Sequence, residues 1–118
     1  MKASDGHEFL DFLLDQLADV PELRAQRMFG GTGLYSADLF FGIVYGDVAY
    51  FKVDDINRSD YMRAGMKPFK PAGARPMKMQ YYEVPAAVIE DAEEACRWAR
   101  RALGAAERKA ATSTARGK

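Results

Sequence analysis

The sequence predicts an α+β domain of two layers, an antiparallel sheet of about five strands with helices packed on it in the order α-β-β-β-β-α-β-α. Three observations carry this. Apolar residues recur at spacings of three and four across residues 9–20 and again across 89–103. Between them, residues 25–53 break into short apolar runs separated by turn residues, the mark of consecutive antiparallel strands. A chain of 118 residues that is 48% hydrophobic and 12% aromatic has material for one core. Residues 1–106 are therefore read as a single domain and 107–118, where the apolar pattern decays, as a disordered tail.

Taken in order, Ser4 or Asp5 can cap a first helix whose residues Phe9, Phe12, Leu13, Leu17 and Val20 face the core. Asp11, Asp15 and Asp19 fall on the other side, and Pro21 closes the segment. Strands are expected near 25–29, 33–36, 39–45 and 48–53. Gly46-Asp47 between the last two, glycine first, suits a two-residue type II′ hairpin. Residues 39–45 are apolar in both alternating sets, which predicts a central strand covered on both faces. In its neighbour, Lys52 points away from Phe51 and Val53.

Asp54-Asp55 offers a cap for a second helix through Ile56, Tyr61 and Met62, ended by Gly65. Three prolines and a glycine make 66–76 a loop with at most a short edge strand around Phe69. Alternation across 77–84 marks the last long strand. Pro85 then opens a single third helix, acidic early and basic late, with Ile89, Ala92, Cys96, Ala99 and Leu103 on its buried stripe.

Composition excludes several classes. Seventeen basic residues balance seventeen acidic ones, so no overall field draws the chain to nucleic acid or an anionic membrane. One cysteine, Cys96, forms no intramolecular disulfide, and one histidine, His7, leaves no Cys/His set for zinc. No signal-type apolar core or membrane-spanning run is present, and a reducing cytoplasm fits best. No nucleophile and general base pair stands out, so no catalytic residue, metal or cofactor is assigned.

The glycine cluster 30–33 resembles a phosphate cradle only superficially, because Leu34-Tyr35 continues as strand and no helix opens there. Gly30, Gly31 and Gly33 are better explained by a tight turn and close packing. Arg27, Lys52 and Lys78 stand beside aromatic or methionine residues and are candidates, with Tyr81, for a cationic binding spot on one sheet face. Trp98 falls off the core stripe of the third helix, where either the chain itself or a partner protein covers it. The tail, with Arg108, Lys109, Arg116 and Lys118, offers a weak basic arm for nucleic acid.

Three motifs in order, Arg27-Met28-Phe29-Gly30-Gly31-x-Gly33-Leu34-Tyr35, then Tyr50-Phe51-Lys52-Val53-Asp54, then Met79-x-Tyr81-Tyr82-x-Val84-Pro85, resemble the N-terminal domain of the TfoX/Sxy family. The resemblance covers about residues 9–103. It implies a two-layer fold with helices before, within and after an antiparallel sheet, and a non-enzymatic regulatory role. Named members of the family are positive regulators of natural competence genes, working with the transcription machinery and a cyclic-nucleotide-responsive activator. Such regulators typically carry a second, C-terminal domain, in whose place this sequence has a short Ala-rich tail.

The expectation is thus a cytoplasmic regulatory or adaptor domain acting through protein contacts, a second copy of the chain being one candidate partner. The alternative is a small-ligand or anion-binding protein built on the glycine turn with Arg27, Lys52 and Tyr81. Weak direct DNA binding is a further alternative. Met28, Phe29, Tyr35, Tyr82 and Pro85 are expected to be structural.

Overall fold

The computed structural model describes residues 7–28, 30–69 and 80–116. Its elements run α1 (His7–Gln16), β1 (Leu23–Met28), β2 (Gly31–Ser36), β3 (Leu39–Tyr45), β4 (Val48–Lys52), α2 (Arg58–Arg63), β5 (Tyr81–Glu83), α3 (Ala86–Ile89) and α4 (Ala92–Arg116). The five strands form one antiparallel sheet in sequential order, β1 and β5 at its edges and β3 in the middle. This is the α+β fold that the periodicity predicts. The first part of the expected last strand, including Lys78, and Phe29 of the glycine motif lie outside the described residues.

One sheet face carries the main core. Leu34, Phe41, Phe51 and Tyr82 meet Leu13 and Leu17 of α1 and the alanine-rich stripe of α4. Full burial of a leucine or phenylalanine side chain contributes roughly 1.5–3 kcal/mol. A bulge in β3 shapes this face: Tyr35 pairs with Phe40 but Leu34 with Gly42, so Phe41 is the extra residue. The other face is covered too, by Ile43, Phe69 and Tyr81 with Phe40 and Tyr50 against them. Both alternating sets of β3 are therefore buried, as its composition requires.

Phe69 reaches that face because its segment lies along the free edge of β5. The Phe69 N–H donates to the Tyr81 carbonyl at 2.7 Å and the Glu83 N–H to the Lys67 carbonyl at 2.9 Å. Pairing of this kind protects a short edge strand.

The helices depart from expectation in four ways. Phe12, placed with the core by its spacing, is 42% exposed. Asp54 and Asp55 precede α2 rather than capping it; Asn57 holds the cap position, with no side-chain cap bond. The third helix is two, because the Asp91 carboxylate accepts from the Glu94 N–H at 3.1 Å and starts α4 afresh. Last, α4 runs to Arg116 where a frayed tail is expected; Ala102, Ala105 and Ala106 are buried, and alanine is the strongest helix former.

Candidate functional site

The glycine turn joins β1 to β2 and is filled by side chains. Gly30 takes φ +82°, a conformation that other residues adopt only with strain. At Gly31 a Cβ would stand 2.7 Å from the Val44 carbonyl oxygen and 2.9 Å from the Tyr45 ring. Gly33 lies under Phe40, Met28 and Tyr35 in the same manner. Tyr35 packs on Phe40 with centroids 5.1 Å apart, Tyr82 on Tyr61 at 5.9 Å, and Pro85 immediately precedes α3.

The sheet register keeps Arg27 away from Lys52. Arg27 pairs with Thr32, Thr32 with Val44 and Val44 with Ala49, while Lys52 is three residues further along β4. With strands about 4.8 Å apart and a rise of about 3.3 Å per residue, the two are separated by roughly 14 Å across the sheet and roughly 10 Å along it. Arg27 is exposed on the edge strand. Lys52 and Tyr81, by contrast, are direct neighbours, paired across β4 and β5 with the Lys52 Nζ 4.8 Å from the ring centroid. Trp98 is half-buried and packs edge-on against Tyr61 of α2, centroids 4.7 Å apart.

Two concave surfaces lie at opposite ends of β4. At its start, a groove of about 310 Å³ has Phe9 and Phe12 of α1 on one side and Val48, Ala49, Val84, Ala86 and Ile89 beneath and opposite. Asp47, Glu83 and Glu90 stand on its rim. Among the described residues, none of these three carboxylates is paired with a cation.

Beyond the end of β4, an open pocket of about 330 Å³ is lined by Lys52, Val53, Asp54, Asp55, Arg58, Gln80 and the α4 residues Ala105, Arg108, Lys109 and Thr112. Arg108 clamps Asp54 with two hydrogen bonds, 2.6 and 3.0 Å. That clamp holds the Asp54 carboxyl below the usual carboxylate range. Asp55 accepts from Arg58 at 2.7 Å. Lys52 is only 8% exposed, and burial together with the nearby Lys109 ammonium lowers its pKa from the ordinary lysine value, Asp54 opposing. Burial likewise pushes the Tyr81 phenol up to about 12.

Periodicity signals neither surface. The pocket unites residues 52–58 with α4 across more than fifty positions, and Phe12 reads from its spacing as core. Among the described residues, no group of three or more His, Cys, Asp or Glu side chains could hold a metal ion, and no helix is long and apolar enough to cross a membrane.

The small α+β domain thus presents an acid-rimmed apolar groove and a pocket with more cations than carboxylates. By sequence it matches the TfoX N-terminal domain over residues 15–106, and the chain belongs to that family. No curated protein matches the chain.

Proposed function

We propose that this chain is a non-enzymatic cytoplasmic regulatory or adaptor domain that acts through protein contacts in the control of competence gene expression. Family membership supports the regulatory setting. The single observation that carries the contact mode is the groove at the start of β4, where Phe12 stays exposed beside an apolar floor and three carboxylates that no described cation pairs. Isolated apolar residues on a surface are ordinary, but a concave apolar patch with a charged rim marks an interaction site. The partner that fits it inserts an aromatic or branched side chain and carries lysine or arginine beside that anchor.

The test is affinity capture from cell extract with the intact chain and with Phe12→Glu. A partner held by the wild type, released by Phe12→Glu and weakened by salt supports this reading. Identical capture by both proteins overturns it.

A further inference from the structure

The pocket beyond β4 has a charge imbalance that its own residues do not correct. It contains four cations, Lys52, Arg58, Arg108 and Lys109, and two carboxylates, Asp54 and Asp55. Each carboxylate is already engaged by an arginine, Asp54 by Arg108 and Asp55 by Arg58. Lys52 and Lys109 remain, close enough for their charges to oppose one another, and among the described residues neither ammonium has a carboxylate within bonding distance.

Lys52 is the decisive group. Lys52 is only 8% exposed, its ammonium lies over the face of Tyr81, and among the described residues no hydrogen bond or ion pair reaches that ammonium. A cation over an aromatic ring recovers part of the lost hydration but leaves the ammonium hydrogens without acceptors. Arg58 adds a second unmet donor, since its Nε is buried with no hydrogen-bond partner among the described residues. Buried donors and charges in this condition are costly unless something supplies acceptors and opposite charge.

We infer that this pocket binds a small phosphate monoester, its phosphoryl group seated between Lys52 and Lys109 and its organic part lying along Val53, Ala105 and Thr112. Two unpaired ammonium groups call for a dianion, which a phosphate monoester is at neutral pH. A volume of about 330 Å³ falls at the small end of ligand sites, which run roughly 300–1,000 Å³, and leaves room for more than the phosphoryl group. Because Lys52 belongs to β4 and Lys109 to α4, bound phosphate ties the end of the sheet to the last helix. The pocket is separate from the groove at the start of β4 and does not depend on it.

Isothermal titration of the full chain with inorganic phosphate and with a simple alkyl phosphate tests the inference, acetate serving as the singly charged comparison. Both phosphates should bind one to one and acetate should not. Lys109→Ala, an exposed position on α4, should weaken phosphate by about tenfold, and Lys52→Met should abolish binding. Lys109→Arg should restore most of the affinity, and Phe12→Glu or Arg27→Ala should leave it unchanged. Circular dichroism confirms that each variant is folded, and Lys109→Ala decides the matter if Lys52→Met is not. Absence of phosphate binding by the wild type, acetate binding as tight as phosphate, or phosphate binding indifferent to Lys109→Ala would each overturn the inference.

Discussion

At the start of β4, Val48 and Ala49 floor an apolar groove whose acidic rim is free to face water; four residues after Val48, the largely buried Lys52 sets its ammonium over a tyrosine ring and beside a pocket with another cation nearby. The two ends are roughly 13 Å apart on one strand. The difference lies in how each surface treats its charge. Carboxylates on a rim keep their hydration and cost the fold little, so the groove is stable when empty. A buried ammonium loses hydration, so the pocket gains more from being filled. A surface of the first kind suits a macromolecular partner that supplies apolar area, and one of the second kind suits a compact counter-charge.

The largest perturbation removes the strand that both ends share. Phe51 is fully buried between groove and pocket and meets Phe41 edge-on, centroids 5.7 Å apart. Phe51→Ala should cost about 3–5 kcal/mol in urea denaturation. Partner capture and phosphate binding should then fail together, whereas survival of either would show that its surface does not need an intact β4.

A change of opposite sign tests the packing of α2 against α4. The Tyr61 ring lies between Tyr82 and Trp98, yet its hydroxyl is buried without a hydrogen-bond partner among the described residues. Burial pushes the ionisation of this phenol far above its ordinary range. Tyr61→Phe keeps both ring contacts and removes the unmet group, so it should stabilise the fold by about 1 kcal/mol. A loss of stability on this substitution would show that the hydroxyl has a partner in solution.

Asp54→Asn acts on the pocket and on the turn before α2, where the Asp54 carboxylate also accepts from the Ile56 N–H at 3.0 Å. The Arg108 hydrogen bonds lower the Asp54 pKa in the folded state, so their stabilisation is fully present above the ordinary carboxylate range, near ~4, and is lost as pH falls through the depressed value. Both side chains are partly exposed, which limits the contribution to about 0.5–1 kcal/mol. Urea midpoints measured from neutral pH into acid should fall less steeply for Asp54→Asn than for the wild type. The same substitution removes a negative charge from the pocket and should tighten phosphate a few-fold.

What the sequence makes legible is what neighbours in the chain decide. Much of the sheet from 23 to 52 is readable because two of its turns carry glycine; Gly46, at φ +62°, sits in the two-residue link between Tyr45 and Val48 as its type requires, whereas the β2–β3 link puts Ala37 at φ +53° with no such signal. The apolar character of both sets in β3 identifies the central strand for the same local reason. The break at Asp91 is hidden because an aspartate early in a helix also suits the helix dipole, so one residue obeys two rules. Extension of α4 to Arg116 is hidden because a run of alanine, threonine and charge has no apolar period. Burial of Lys52 and its meeting with α4 depend on Tyr81 across the sheet and on contacts across more than fifty residues, none of which leaves a mark in spacing.

The smallest effect on stability should accompany the largest effect on partner binding. Phe12 lies on α1 beside Leu13, one fully buried and the other 42% exposed, so adjacent residues separate the two roles of that helix. Phe12→Ser removes an aromatic ring that contributes little to the core, and the urea midpoint should move by no more than about 0.5 kcal/mol equivalent. Partner affinity at the groove should nevertheless fall at least about tenfold, since truncating a central aromatic commonly costs more than 1 kcal/mol at an interface. Neutralising the rim with Glu83→Gln should change mainly the association rate and its salt dependence, because a solvated rim charge steers approach more than it holds the complex. If Phe12→Ser destabilises the fold by as much as a core substitution, Phe12 is a packing residue and the groove loses its anchor.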